Sequence, residues 1–81
     1  MAYPASRFPA LKPTKVLRLL HQIGYREVPG RGKGSHTMMK AAGKKTILVP
    51  MHKGKEVAPA HLRKMLVEDA ALTDAEIDAL L

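Results

Sequence analysis

A histidine lies within a basic segment of the chain that contains no acid. Between Arg31 and Lys55 there are seven Lys and Arg residues and no Asp or Glu, and the triplet Gly34-Ser35-His36 lies inside this stretch. Basic residues separated by glycines attract phosphate groups, and an imidazole can take up or release a proton near neutral pH. The segment therefore predicts a site that binds a phosphate-bearing ligand and transfers protons to or from it.

A second histidine is predicted to lie near the first. If strands over 35–41 and 45–49 form a hairpin around residues 42–44, the start of one strand lies beside the end of the other. His36 then pairs near Val49 or Met51, and the loop that carries His52 lies at the same end of the sheet. Lys33, Lys53 and Lys55 are predicted to converge on this end. The pattern does not indicate which face of the sheet His36 occupies.

Cleavage of RNA is the chemistry that fits these residue types. Breaking an RNA phosphodiester without a metal ion needs a base for the 2′-hydroxyl proton, an acid for the leaving oxygen and cations for the charge that develops. We predict that His36 is the catalytic acid or base and that Ser35 and His52 support it. The predicted RNA-binding residues are Lys33, Gly34, Lys40, Lys45, Lys53 and Lys55. Lys40 and Lys45 are expected to repel each other across the hairpin, which a bound anion would relieve.

The charge distribution favours a polyanionic partner. The 81 residues carry a net charge of +7. Residues 1–67 contribute +12 and residues 68–81, with five acids and no Lys or Arg, contribute −5. Such an excess of positive charge favours nucleic acid. With no cysteine and no apolar run of membrane-spanning length, a cytoplasmic protein without a cofactor is expected.

The hydrophobic pattern predicts one small α+β domain. A helix with Thr14 as its N-cap ends at Gly24, and strands follow over 25–28, 35–41 and 45–49. A second helix begins at Pro59, and the spacing of Thr73 and Glu76 predicts a capping box for a short acidic helix. A three-stranded antiparallel sheet with two helices on one face follows. Residues 1–12 are expected to be an irregular arm and residues 13–81 a single domain.

Other functional patterns fit less well. The glycine-rich stretch 30–35 is not a Walker A loop, because Glu27 stands where the first glycine belongs, and it misses the dinucleotide-binding pattern by one residue. The four histidines show no ligand spacing typical of zinc, so no metal site is predicted. His21 and His61 lie on predicted helices and are expected to be structural or exposed.

Several short motifs resemble one protein family. Gly34-Ser35-His36 before a strand, Val49-Pro50-Met51-His52, Gly54-Lys55-Glu56 and the segment 62–66 are similar, in this order, to the HicA toxins. The helix that ends at Gly24-Tyr25 matches the start of that family. The resemblance covers residues 11–79, although the loop before Gly34 is longer than is usual there.

The resemblance implies both a fold and a function. It implies an α-β-β-β-α fold like that of double-stranded-RNA-binding domains, with His36 as the catalytic residue. It further implies a toxin of a type II toxin–antitoxin pair that cleaves mRNA, inhibits translation and growth, and is neutralised by a HicB-like antitoxin. Two alternatives remain open: a non-catalytic RNA-binding module of the same fold, and an adaptor that binds a protein through its acidic tail and exposed apolar residues.

Overall fold

The computed structural model describes residues 5–30 and 35–81. In chain order its elements are a 3-10 turn Ala5–Arg7, α1 Pro13–Gln22, β1 Arg26–Glu27, β2 His36–Lys40, β3 Ile47–Pro50, α2 Pro59–Arg63, a π-helical segment Lys64–Asp69 that continues α2, and α3 Asp74–Leu80. Within these residues the three strands form one antiparallel sheet in the order β1-β2-β3. The predicted α+β fold class is confirmed.

The first helix begins with a proline. Pro13 occupies the first position of α1, where the missing N–H group costs no hydrogen bond, and Lys12 is the N-cap without a side-chain cap. The prediction that Thr14 caps this helix is wrong, because Pro13 has already started the helix before it. Beyond the last turn, Gly24 has a φ of +102°, a backbone conformation open to glycine but rarely to other residues. The predicted stop at Gly24 is therefore confirmed.

The pairing of β2 with β3 sorts their side chains onto two faces of the sheet. His36 lies opposite Pro50 and Met38 opposite Leu48, and alternate residues of a strand share a face. One face is covered, and its buried residues are Met39, Ile47 and Val49. The other face, called the outer face below, carries His36, Met38, Lys40, Leu48 and Pro50. Leu48 is 49% exposed there.

One hydrophobic cluster fills the space between the sheet and the helices. Its members are Phe8, Val16, Leu20, Tyr25, Met39, Ile47, Val49, Val57, Leu62, Met65, Leu66, Ala70, Leu72 and Ile77. Burial of each large side chain contributes about 1.5–3 kcal/mol. Tyr25 is fully buried, and its hydroxyl donates a hydrogen bond to the backbone oxygen of Lys45 at 2.8 Å. The core therefore ties the start of β1 to the segment before β3.

The segment before α1 is packed against the domain. Phe8 is only 4% exposed and belongs to the core cluster. Leu11 forms an isolated β-bridge with Val57, in which its N–H donates to the Val57 oxygen at 3.2 Å and its oxygen accepts from the Val57 N–H at 2.6 Å. The boundary between arm and domain at residue 12 stays a prediction, but these contacts fix the path of the chain into α1.

The second helix changes its hydrogen-bond pattern partway along. It begins at Pro59 as predicted and then widens into the π-helical segment. There the N–H of Ala70 donates to the oxygen of Met65 at 2.8 Å, five residues back. Ala71 follows with a φ of +55°, a left-handed backbone conformation between this segment and α3. The predicted apolar stripe of Leu62, Met65 and Leu66 is buried.

The last helix has the predicted capping box. The N–H of Glu76 donates to Thr73 Oγ1 at 3.2 Å, and the N–H of Thr73 donates to Glu76 Oε1 at 2.8 Å. Both bonds satisfy donors that a helix start otherwise leaves unpaired. Ile77 then anchors α3 in the core.

Candidate functional site

The two histidines that were predicted to converge are neighbours at one end of the sheet. His36 is the first residue of β2 and is exposed. Its ring meets that of His52 edge to face, with centroids 6.0 Å apart and planes at 79°. Because His36 lies opposite Pro50, the chain that leaves β3 passes beside it. The register differs by one residue from the predicted partners, and it places His36 on the outer face, which the sequence left open.

Ser35 holds the backbone on one side of this histidine pair. Its carbonyl oxygen accepts a hydrogen bond from the N–H of Met51. The bond extends the contact between the two strands one step beyond β2, so the residues that precede both histidines are tied together. Ser35 is half-buried. Its predicted supporting role stays a prediction.

A tight turn places two lysines next to His52. The N–H of Lys55 donates to the oxygen of His52 at 3.1 Å, and Gly54 has a φ of +78°. Lys53 and Lys55 are exposed on this turn. They are therefore at the histidine end of the sheet, as predicted from the hairpin. Lys33 and Gly34, predicted for the same corner, lie outside the residues that the structure describes.

A groove beside His52 brings in residues that the sequence did not single out. It has a volume of about 320 Å³ and is lined by Lys12, Pro13 and Thr14 on one side and by residues 51–56 on the other. The bridge between Leu11 and Val57 holds these two walls together. Pairing between positions so far apart leaves no local pattern, and for that reason sequence reasoning missed Lys12.

Two of the predicted RNA-binding lysines lie at the other end of the hairpin. Lys40 ends β2 and stands on the same face as His36 but about 13 Å along the strand, at 3.3 Å per residue. It faces Arg26 of β1 in the ladder. Lys45 precedes β3, and its N–H donates to the oxygen of Asp69 at 3.3 Å, so β3 starts two residues later than predicted. The roles of Lys40 and Lys45 in binding stay predictions.

The acidic C-terminal segment lies by the hairpin turn and not by the histidines. Lys44 Nζ donates to the backbone oxygen of Ala70 at 2.5 Å, and Lys64 Nζ lies 3.3 Å from Asp69 Oδ2. The pKa of Glu76 is lowered chiefly by its hydrogen bonds with Thr73, and the charge of Lys44 contributes. Within the described residues, the contacts of this segment thus involve Lys44 of the hairpin turn and Lys64 of the π-helical segment, and none of these contacts reaches His52.

The remaining histidines are not part of this site. His21 Nε2 lies 2.5 Å from Glu27 Oε1, and this hydrogen bond lowers the pKa of the Glu27 carboxyl. It joins the end of α1 to β1. His61 is exposed on α2, so both histidines agree with their predicted structural or exposed positions.

The described residues contain neither a metal-binding cluster nor a membrane-spanning helix. Over residues 5–30 and 35–81, no group of three or more His, Cys, Asp or Glu side chains is arranged to hold a metal ion. In the same part of the chain, no helix has the length and apolar character needed to cross a membrane.

The fold and the site define a class of small α+β proteins that carry an exposed histidine at the basic end of an antiparallel sheet. A comparison with protein-family models matches residues 14–77 to the HicA toxins of bacterial toxin–antitoxin systems. This range contains α1 from its second residue onward, all three strands and both histidines of the pair. The chain belongs to the HicA toxin family. No curated protein and no solved structure matches it.

Membership of this family assigns the chain a general role. It is a toxin of a toxin–antitoxin system, and such a toxin has an antitoxin partner. The resemblance that was stated from the sequence motifs is therefore confirmed.

Proposed function

We propose that this toxin is an endoribonuclease that cleaves mRNA without a metal ion and so inhibits translation. The observation that supports this is the exposed pair of His36 and His52, with ring centroids 6.0 Å apart, beside the lysine-bearing turn. Two imidazoles supply both proton transfers of the reaction, and the lysines supply the positive charge.

The distance between the rings suits one phosphate group. The two rings are neighbours, with centroids 6.0 Å apart, and each ring nitrogen can form a charge-assisted hydrogen bond of about 2.8 Å to a phosphate oxygen. Both rings can therefore contact the same phosphodiester without a change of the backbone.

The reaction proceeds by attack of the neighbouring hydroxyl. One imidazole takes the proton of the 2′-hydroxyl, and the 2′-oxygen then forms a bond to phosphorus. The other imidazole gives a proton to the 5′-oxygen as its bond to phosphorus breaks. The products are a 2′,3′-cyclic phosphate and a free 5′-hydroxyl. Unpaired mRNA is the preferred substrate, because in-line attack needs a flexible backbone. We assign His36 one of these proton transfers and His52 the supporting one.

Expression of the wild type, His36→Ala and His61→Ala tests this proposal. His61 is an exposed histidine outside the site, so its variant is the matched control. We expect wild type and His61→Ala to arrest growth and degrade transcripts, and His36→Ala to do neither. Purified wild type should cleave RNA in the presence of EDTA and leave cyclic phosphate ends. Equal cleavage by wild type and His36→Ala would exclude His36 as the catalytic residue.

The same experiment distinguishes the endoribonuclease from the main alternative, a non-catalytic RNA-binding module. A non-catalytic RNA-binding module would bind RNA in a salt-dependent manner, with no cleavage by wild type or variant. A substrate that carries 2′-deoxyribose throughout should be bound and left intact if the proposed attack is correct, because it lacks the nucleophile.

We further propose that the antitoxin is HicB-like and covers the histidine pair. Two features support this: His36 is exposed on the outer face, and the apolar Leu48 beside it is 49% exposed. Modification of the toxin by diethyl pyrocarbonate tests it. The antitoxin should protect His36 and His52 and leave His61 reactive; equal modification of all three in the complex would contradict this placement.

A further inference from the structure

We propose that the groove between Lys12–Thr14 and residues 51–56 binds one nucleotide of the RNA next to the cleaved linkage. This inference rests on the proposed function and extends it to a second contact with the substrate. Lys12 and Pro13 precede the range that the family model matches, which begins at residue 14, so the family match gives them no role.

The position of the groove connects it to the reacting phosphate. His52 is one of its lining residues, and the ring of the same histidine contacts His36. An RNA chain whose phosphate is bound by both rings therefore passes the groove that His52 lines, within reach of the next nucleotide.

The charge of the lining suits a phosphate. Three lysines, at positions 12, 53 and 55, stand against one carboxylate, that of Glu56. Within residues 5–30 and 35–81, none of the ion pairs involves these lysines. Lysines that are not engaged with acids are available to an anionic ligand, and each contributes a point charge that fits a phosphate.

The size and the apolar part of the lining suit a single nucleotide. A volume of about 320 Å³ is at the small end of the range for ligand sites, about 300–1,000 Å³. Pro13 and Met51 provide an apolar wall against which a base can lie. The β-bridge from Leu11 to Val57 fixes this wall relative to the lysine turn, so the site is formed before the ligand arrives.

Binding of uridine 5′-monophosphate to the full chain tests the groove without any cleavage. The protein carries His36→Ala, and backbone amide shifts are followed by NMR with inorganic phosphate as a comparison. We expect shifts at residues 12–14 and 51–56, with tighter binding of the nucleotide than of phosphate. Lys12→Gln should weaken nucleotide binding by about two- to fivefold, the effect of one exposed charge pair. Lys15→Gln, in the first turn of α1 but outside the groove, is the control of equal charge.

The outcomes distinguish the nucleotide-binding groove from the proposed endoribonuclease activity. Three results would contradict nucleotide binding in the groove. They are the absence of amide shifts in the two lining segments, equal affinity for nucleotide and phosphate, and equal losses of nucleotide affinity in Lys12→Gln and Lys15→Gln. With His36 intact, Lys12→Gln should raise KM for a long RNA about two- to fivefold, whereas Lys15→Gln should not. Nucleotide binding that depends on Lys12 in a protein that never cleaves RNA would support the groove and contradict the proposed endoribonuclease.

Discussion

The rings of His36 and His52 meet edge to face with their centroids 6.0 Å apart. The contact exists because His36 is opposite Pro50 in the ladder between β2 and β3, so that the chain emerging from β3 returns beside the start of β2. Two residues separated in the chain by the rest of β2, a turn and β3 thus become one site at one end of the sheet.

Removal of either imidazole should change the pH dependence of cleavage. If one ring acts as base and the other as acid, kcat/KM of the wild type falls at low pH, where the base is protonated, and at high pH, where the acid has lost its proton. We expect His36→Ala to lower kcat/KM about 10²–10⁴-fold and His52→Ala to remove one limb of the profile. Initial rates over pH 5–9 measure this.

The control is His61→Ala, whose profile should coincide with that of the wild type. A two-limbed profile that persists unchanged in His52→Ala would show that His52 transfers no proton in the reaction.

Lysines on the turn after His52 should determine the salt dependence of RNA binding. Each lysine that contacts a phosphate releases counterions, with a slope of log K against log salt of about −0.7 per contact for single strands. The double variant Lys53→Gln/Lys55→Gln should therefore reduce the slope by about 1.4. Fluorescence anisotropy of a labelled single-stranded DNA, bound at several salt concentrations, gives the slope.

Lys64→Gln is the matched control for this series, since Lys64 pairs with Asp69 and does not line the groove beside His52. If the double variant has the same slope as the wild type, Lys53 and Lys55 do not contact the RNA phosphates. The same assay applied to Lys40→Gln and Lys45→Gln tests whether RNA extends along the outer face to the far end of the hairpin.

Tyr25 should make the free energy of unfolding decrease at alkaline pH. Burial, and to a smaller extent the Asp69 carboxylate, raise the pKa of its hydroxyl above the ordinary value of 10.0. Between pH 10 and this raised pKa the unfolded chain loses a proton that the native state keeps, so the stabilisation is complete below pH 10 and is lost as pH rises.

Tyr25→Phe should lower the free energy of unfolding by about 1 kcal/mol at pH 7, because the hydrogen bond to Lys45 is lost. Urea unfolding at pH 7 to 11 measures both effects. The difference in free energy of unfolding between wild type and Tyr25→Phe should become smaller above pH 10. A difference that stays constant with pH would contradict the proposed effect of Tyr25 ionisation.

Ala71 should tolerate glycine better than its neighbour does. Its φ of +55° costs an L-residue about 1–2 kcal/mol, and the extra freedom of glycine in the unfolded chain offsets about 0.4–1 kcal/mol. Ala71→Gly should therefore raise the free energy of unfolding by about 0.5 kcal/mol.

Ala70→Gly is the contrasting variant, since Ala70 is fully buried and bonded to Met65. It should lower the free energy of unfolding by about 1 kcal/mol. Thermal unfolding of both proteins compares them, and equal destabilisation by the two substitutions would contradict a strained backbone at Ala71.

The capping box should contribute measurably to the stability of α3. Thr73→Ala removes the acceptor for the N–H of Glu76 and should lower the free energy of unfolding by about 1 kcal/mol. Thr14→Ala is the control, because α1 has no side-chain cap. Losses of equal size in the two variants would show that the cap of α3 has no particular effect.

Glu76 adds a pH dependence to this cap. The pKa of the Glu76 carboxyl is held below the ordinary value of 4.5. The contribution of this carboxylate to the free energy of unfolding is therefore complete above pH 4.5 and is lost as pH falls through the lowered pKa. Glu76→Gln keeps an oxygen acceptor for Thr73 without a charge, and its stability should be less sensitive to pH in this window.

Much of this protein was predictable from local patterns. Pro59 with its apolar stripe, the stop at Gly24 and the spacing of Thr73 and Glu76 are features of neighbouring residues, and each gave the observed element. The motif that ends in His36 was also recognisable from the sequence, because its glycine, serine and histidine are consecutive residues.

The arrangement of the site depended on contacts between distant residues. The face of His36 follows from its pairing with Pro50, and a slip of one residue would turn every side chain of β2 to the other face. Lys12 joins His52 at the groove only because Leu11 pairs with Val57. Periodicity along one segment carries no information on such pairing, so the sequence determined the residue types and the tertiary structure decided which of them meet.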